Sequence, residues 1–166
     1  HEGKGRGLAA GKSLAADLAF EINAEAVALL RRAGRRDVGD PLLAQDFERA
    51  IDVDQEYPPA YCNRGLARKN LGQPAEALKD YDRAIAIQPN HVAAIGNRGN
   101  VLRQLNRLAE AEAAYRRALV INPSHPETLN NLGTVLRDQG KATDAIEFYH
   151  KAVALRPAYA EAAGNL

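Results

Sequence analysis

The sequence has no methionine, no tryptophan and only one cysteine among its 166 residues. The single thiol, Cys62, excludes an internal disulfide framework and a cysteine-rich zinc site. A lone thiol suits a reducing cytoplasm slightly better than a periplasm, but it does not decide the compartment. Because the chain begins with His1 and holds no methionine, we expect it to be a piece or a processed form of a longer protein.

The sequence also has little net charge and no long apolar run. The 22 Lys and Arg residues nearly balance the 21 Asp and Glu residues, which leaves a net charge of +1. Such a balance gives no overall field that would attract nucleic acid or an anionic membrane. No apolar run approaches the ~18 residues that a membrane span needs. We therefore expect a soluble, folded protein that neither binds nucleic acid nor spans a membrane.

The residues that usually carry catalysis or bind metals do not converge in this sequence. Zinc needs its ligands about 2 Å from one point, and a nucleophile needs a base placed beside it. No histidine is placed to serve either serine as a base, and we expect no catalysis, no metal site and no cofactor. The residues considered are His1, His91, His125 and His150, with Ser13 and Ser124.

Two short segments near the amino terminus suggest anion binding but have a simpler explanation. "GRGLAAGKS", Gly5–Ser13, has the wrong glycine spacing for a phosphate-binding loop and follows no strand, so we predict a flexible tail. "RRAGRR", Arg31–Arg36, has no aromatic residue for base stacking. Cations are favourable at the carboxyl end of a helix, so we predict a solvated helix end there.

The chain repeats itself with a period of 34 residues. Shifting the sequence by one period superimposes a glycine, an alanine, an aromatic residue, a second alanine and a proline. The aromatic series reaches one period further back, to Phe47. The repeated residues are Gly65, Gly99 and Gly133; Ala77, Ala111 and Ala145; Tyr81, Tyr115 and Tyr149; Ala84, Ala118 and Ala152; and Pro89, Pro123 and Pro157.

Each repeat is predicted to be a pair of helices, because apolar and small residues recur at three- and four-residue spacing in two stretches. Gly72, Asn106 and Gly140 separate the two stretches and tolerate the left-handed conformation that ends a helix. The proline ends the second helix. We expect the glycine to face the first alanine, and the tyrosine and second alanine to pack on the following unit.

These units resemble tetratricopeptide repeats, a family of 34-residue helix–turn–helix units. The order Gly65, Ala77, Tyr81, Ala84, Pro89 carries the resemblance and occurs three times. It implies an all-α fold, a right-handed superhelical solenoid of antiparallel helix pairs. The tryptophan usual near the start of a repeat is absent. Tyr61, Ile95 and Leu129 take its place in units 58–91, 92–125 and 126–159.

The sequence on either side of these units departs from the pattern. Residues 23–57 are interpreted as a degenerate first unit, in which Arg31 takes the place of the glycine and Leu43 that of the first alanine. Such divergence is expected of a terminal unit. Residues 1–22 are predicted to be a tail with a short helix, or a backward extension of the next helix. Residues 160–166 are predicted to begin a further unit or a capping helix.

One side of each first helix is polar and rich in amides. At about 100° per residue, Asn63 and Asn70 lie nearly opposite the packing side that carries Gly65. The resemblance implies that this polar side lines the concave surface of the superhelix and binds a partner. The implied partner-binding residues are Asn63, Asn70, Asn97, Asn100, Gln104, Asn130, Asn131 and Thr134, with Ala93, Gly96, Glu127 and Asp138 beside them and the cations Lys69, Arg103 and Arg137 at the flank.

The amides have two alternative roles, which the sequence leaves open. A row of them can pair with the backbone of an extended peptide, or each can pair with the neighbouring first helix. We therefore expect a non-catalytic protein-interaction module that binds an extended peptide or a partner's helix in its concave groove. The alternatives are the substrate-recognition arm of an enzyme such as a protein glycosyltransferase, and a scaffold that self-assembles through its open carboxyl-terminal end. A chaperone-carboxylate clamp is disfavoured, because Cys62 and Leu66 replace its lysine and asparagine.

Overall fold

The computed structural model describes residues 4–32, 41–157 and 164–165, and every regular element in those ranges is an α-helix. The chain divides into two compact units, residues 1–89 and 90–166. Each unit is described by itself. The first holds α1 (Lys4–Arg32), α2 (Pro41–Val53), α3 (Pro58–Asn70) and α4 (Pro74–Ile87); the second holds α5 (Val92–Gln104), α6 (Leu108–Ile121), α7 (Pro126–Asp138) and α8 (Ala142–Leu155).

The amino-terminal segment differs from the predicted tail. Lys4–Arg32 forms one continuous helix, so the flexible-tail interpretation of Gly5–Ser13 is wrong and the backward extension is what the backbone shows. Alanine and leucine predominate between the glycines, and their helix propensity favours this outcome. The rest of the basic cluster, residues 33–36, lies outside the described residues. Most of residues 160–166, the predicted start of a further unit, also lies outside the described residues.

The repeated connections explain why each helix pair turns back at the same place. Gly72, Asn106 and Gly140 have φ angles of 73°, 58° and 80°, the left-handed conformation expected from the sequence. In α3, α5 and α7 the amide three residues beyond the helix end bonds back to a carbonyl inside the helix, as from Gln73 N to Arg68 O at 2.9 Å. Each first helix therefore stops after the same number of residues, which fixes where the second begins.

The first helix pair follows a shifted register. The connection from Arg32 to Pro41 is five residues longer than the connection from Asn70 to Pro74. The glycine place therefore moves back by five residues, from Arg31 to Ala26. Ala26 is buried and packs in one cluster with Leu43 and Phe47, so the assignment of Arg31 was wrong.

In the three regular repeats, the glycine of the first helix lies against the tyrosine of the second. A Cβ added at Gly65, Gly99 or Gly133 would lie 2.8, 2.7 or 2.7 Å from a tyrosine ring atom of the same unit. We expected the first alanine of the repeat to face this glycine, and at Gly133 the backbone oxygen of Ala145 would also lie 3.1 Å from the added Cβ. The tyrosine rings and the repeated alanines are fully or almost fully buried. The ring therefore lies directly on the backbone of the first helix.

A matched pair of substitutions in α5 tests this contact. We expect Gly99→Ala to lower the free energy of unfolding by about 1–3 kcal/mol, because the added methyl group overlaps Tyr115. Gly96→Ala should raise it by about 0.5–1 kcal/mol, because its Cβ would meet nothing within 4 Å and alanine favours the helix. Urea denaturation followed by circular dichroism measures both. Equal effects at the two positions would contradict the tyrosine contact.

A buried ionic cluster joins α3 to α4 in the first unit. Arg64 donates two hydrogen bonds to Asp80 Oδ1 and Oδ2, from Nη2 at 2.7 Å and from Nε at 3.1 Å, and Arg68 donates a third at 2.9 Å. The Asp80 side chain is only 3% exposed. At the equivalent places two repeats later stand Leu132, Leu136 and Phe148. The same contact between helices is thus ionic in one repeat and apolar in another.

We expect Asp80→Ala to lower the free energy of unfolding by about 3 kcal/mol, because it leaves two partly buried guanidinium groups without their buried carboxylate. Combining it with Arg64→Leu and Arg68→Leu should recover most of that loss, since apolar residues fill the equivalent places in the third repeat. Urea denaturation checks both variants. The exposed Asp52→Ala is the control and should change stability by less than about 0.5 kcal/mol. A triple variant as unstable as the single one would contradict this interpretation.

Candidate functional site

A groove of about 460 Å³ lies between α5 and α7 in the second unit. Its volume falls within the range of about 300–1,000 Å³ that is typical of ligand sites. Six residues that the sequence placed on the polar side of the first helices line it. They are Ala93, Gly96, Asn97 and Asn100 on α5, and Glu127 and Asn131 on α7.

Other residues proposed from the sequence lie away from this groove. Asn130 is fully buried and Thr134 is 8% exposed, so neither offers a surface to a partner. Both are excluded from the candidate site. Gln104 is exposed further along α5 but does not line the groove. Asn63, Asn70 and Lys69 belong to the first unit, Arg103 lies 3.7 Å from Asp138, and Arg137 donates a hydrogen bond to Asn165.

Four groove residues were not proposed as partner-binding residues from the sequence, because they lie at or before the helix starts. Val92 and Thr128 belong to the first turns of α5 and α7, and Asn122 and His125 precede α7. The signal that could have found them is the histidine one residue before α5 and again before α7. In both places the ring caps the helix. His91 Nδ1 accepts a hydrogen bond from Ala94 N at 3.2 Å, and His125 Nδ1 accepts one from Thr128 N at 3.3 Å.

Asparagine side chains that are far apart in the sequence pair with each other in both units. Asn63 Nδ2 donates to Asn23 Oδ1 at 2.9 Å, and Asn165 Nδ2 donates to Asn130 Oδ1 at the same distance. After the five-residue shift of α1, Asn23 and Asn130 hold equivalent places. Of the two roles that the sequence left open for the asparagines, pairing within the protein therefore occurs at Asn63 and Asn165. Each of these bonds uses one of the two N–H donors of the donating amide.

Asn131 uses a different partner, Asn100. Its Nδ2 donates to Asn100 Oδ1 at 3.1 Å, and the Tyr115 hydroxyl donates to the same oxygen at 2.7 Å. Burial raises the pKa of Tyr115 to about 12, although Arg103 beside the hydroxyl acts to lower it. The side chain of Asn100 is therefore held from two sides, by Tyr115 of its own repeat and by Asn131 of the next repeat.

The equivalent tyrosines lack this amide contact. The Tyr149 hydroxyl donates to Thr134 Oγ1 at 3.3 Å, inside the protein. The buried Tyr81 hydroxyl has no hydrogen-bond partner within the described ranges. Leu66 stands where the other repeats have Asn100 and Thr134, and it offers no acceptor. Only in the second repeat does a buried tyrosine hydroxyl hold an amide that lines the groove.

The groove lining carries little charge. Glu127 is its only carboxylate, and Arg156 donates a hydrogen bond to it. Partial burial acts to raise the pKa of Glu127, but hydrogen bonds from its own backbone and from Arg156 outweigh burial and lower the pKa below its ordinary value. No lysine or arginine lines the groove. The site is therefore suited to neutral hydrogen-bonding groups more than to a strongly charged ligand.

Family models for the tetratricopeptide repeat match residues 62–126 and 127–156. The chain belongs to the tetratricopeptide repeat family. Both the predicted family and the predicted all-α helix-pair fold are thereby confirmed. Repeats of this family form protein-interaction modules that bind protein or peptide partners. A search of curated protein sequences gives no match.

Solved structures share the tetratricopeptide repeat fold at low sequence identity. The pilF protein of Pseudomonas aeruginosa is 20% identical with a TM-score of 0.80, over 93% of this chain and 67% of that one. A MamA structure is 18% identical with a TM-score of 0.73, over 91% and 78%. YrrB, described as a TPR protein with an unusual peptide-binding site, is 24% identical with a TM-score of 0.66, over 74% and 63%. At these identities the likeness shows the fold alone.

In the described part of this tetratricopeptide repeat chain, no helix combines the length and the apolar composition that crossing a bilayer requires. No group of three or more histidine, cysteine, aspartate or glutamate side chains in those ranges is arranged to hold a metal ion. The compartment stays a prediction.

The histidine cap of α5 predicts a pH dependence of stability. Its Nδ1 accepts a hydrogen bond only when unprotonated, and burial lowers the pKa of His91 below its ordinary value. The unfolded chain therefore takes up a proton on this histidine at higher pH than the folded chain does. We expect the free energy of unfolding to fall as the pH decreases through about 6.5.

His91→Asn keeps a good cap without the titrating ring, so it should weaken this pH dependence. His91→Ala should cost about 1 kcal/mol even near pH 8, because the amide of Ala94 loses its acceptor. Urea denaturation from about pH 8 to about pH 5 measures both effects. An unchanged pH dependence in His91→Asn would rule out the cap as its source.

Proposed function

We propose that this chain binds an extended peptide segment of a partner protein in the groove between α5 and α7. The observation that carries the proposal is a groove whose floor is left open at Gly96 and whose walls are formed by asparagine amides. A Cβ added at Gly96 would meet nothing within 4 Å, and Asn97, Asn100 and Asn131 line the same space. Amides pair with main-chain groups without depending on the ligand's side chains.

The charge of the groove supports an uncharged segment. Its one carboxylate, Glu127, already accepts a hydrogen bond from Arg156, and an acidic ligand would meet no unpaired cation among the lining residues. The flanking cations Arg103 and Arg137 lie outside the lining and beside Asp138. The glycosyltransferase-arm and self-assembly alternatives stay predictions.

Selection of peptides followed by blocking of the groove tests the proposal. Random dodecapeptides displayed on phage are selected on the full chain, and the best binder is synthesised with a fluorophore. We expect Gly96→Leu to weaken its binding at least about tenfold in anisotropy titrations, which corresponds to about 1.4 kcal/mol. The leucine side chain would occupy the floor of the groove, while the helix should be no less stable than with glycine.

The control is Val120→Leu, which enlarges a side chain that is 82% exposed on α6 and does not line the groove. It should leave the affinity unchanged. Binding that is as tight in Gly96→Leu as in the wild type would place the peptide elsewhere and reject the groove. Failure to select any peptide would also count against the proposal.

A further inference from the structure

The Asn100 side chain is oriented by two hydrogen bonds that end on the same atom. Its Oδ1 accepts from Tyr115 on α6 and from Asn131 on α7. A carbonyl oxygen has two lone pairs, so these two donors saturate it. The amide is planar, and fixing the oxygen also fixes the direction of the nitrogen.

The orientation of the Asn100 amide follows from the two donors beside its oxygen. Asn131 Nδ2 carries donors only and lies 3.1 Å from Asn100 Oδ1, so Asn100 faces it with the oxygen. The Tyr115 hydroxyl lies 2.7 Å from the same oxygen and turns its own hydrogen toward Asn100. Asn100 can meet that hydrogen only with its oxygen, which leaves its nitrogen pointing away from Tyr115.

The Asn100 nitrogen has no hydrogen-bond acceptor in the ranges that the structure describes, although the residue is half-buried and lines the groove. We propose that the two N–H groups of Asn100 donate to main-chain carbonyl oxygens of the bound peptide, and that Tyr115 is the positioning residue that aims them. This inference rests on the proposed peptide-binding function. It assigns the ligand a specific chemistry, a pair of acceptors on an extended backbone.

The other repeats do not offer the same donors. Leu66 replaces the amide in the first repeat, and Thr134 in the third is buried and accepts from Tyr149. Main-chain recognition of this kind is therefore specific to the second repeat. It is also the repeat that supplies Gly96 to the floor of the groove.

Asn100→Asp tests the N–H donors of the amide separately from its oxygen acceptor. The carboxylate still accepts from Tyr115 and Asn131, so the internal hydrogen bonds stay, but the two donors are lost and a negative charge faces the ligand carbonyls. We expect the affinity for the selected peptide to fall at least about tenfold. The urea midpoint should change little, because both internal donors keep an acceptor and the positive charge of Arg103 acts at the neighbouring Tyr115 hydroxyl.

Tyr115→Phe removes the hydroxyl that holds the amide, and we expect the same peptide to bind about three- to tenfold more weakly. Tyr149→Phe is the matched control, because it deletes the equivalent hydroxyl, which bonds to the buried Thr134. The control should lose a comparable amount of stability and bind with unchanged affinity. Combining Tyr115→Phe with Asn100→Asp should weaken binding no further than Asn100→Asp alone, because the hydroxyl acts through the amide.

The acceptors that Asn100 meets could be main-chain carbonyl oxygens or the carboxyl terminus of the peptide, and a change in the peptide distinguishes the two. A free carboxyl terminus could also accept from two N–H groups, so the selected peptide is titrated with a free and with an amidated carboxyl terminus. We expect equal affinities, and a loss on amidation would overturn the main-chain assignment.

The remaining outcomes separate this inference from the proposed function. If Gly96→Leu abolishes binding while Asn100→Asp and Tyr115→Phe bind as the wild type does, the groove stands and the role of Asn100 is wrong. If Tyr149→Phe weakens binding as much as Tyr115→Phe, the positioning role is wrong. If none of the groove variants changes the affinity, the proposed function itself fails.

Discussion

The tyrosine ring that lies on a glycine is the contact on which each regular repeat depends. A helix normally holds its neighbour away by the length of its side chains. At Gly65, Gly99 and Gly133 no Cβ intervenes, so the ring reaches the backbone of the first helix. In the second and third repeats the tyrosine hydroxyl then bonds to a polar side chain of that helix, Asn100 or the buried Thr134. In the second repeat this packing contact therefore also fixes the position of an amide that lines the groove.

The repeat pattern predicted the fold because its signals are local. A proline, a left-handed residue and small residues at fixed spacing each act within one helix pair, and the family models agree with that prediction. The first helix pair was harder to predict from the sequence. Its connection is five residues longer, which moves the place of the repeated glycine from Arg31 to Ala26 without any change in composition. The predicted flexible tail was wrong because the glycines in this segment do not interrupt a helix whose other residues, mainly alanine and leucine, have high helix propensity.

The candidate site was only partly predictable, because helical periodicity gives the direction of a side chain but not what covers it. Six residues of the polar side line the groove, yet Asn130 on the same side is fully buried and bonds to Asn165, 35 residues away. The ionic cluster around Asp80 was missed for a related reason. A repeat pattern consists of the residues that the repeats share, and Arg64, Arg68 and Asp80 occupy places where the repeats differ.

An amide suits the wall of this groove for a physical reason that a charged residue lacks. A half-buried carboxylate or ammonium needs a counter-ion, and the pair then has little left for a neutral ligand. An asparagine can satisfy its oxygen within the protein and keep its nitrogen for another group. In Asn100 the oxygen is held by Tyr115 and Asn131, and the nitrogen is the end that we assign to the ligand. The two roles that the sequence left open for its asparagines then belong to the two ends of one side chain.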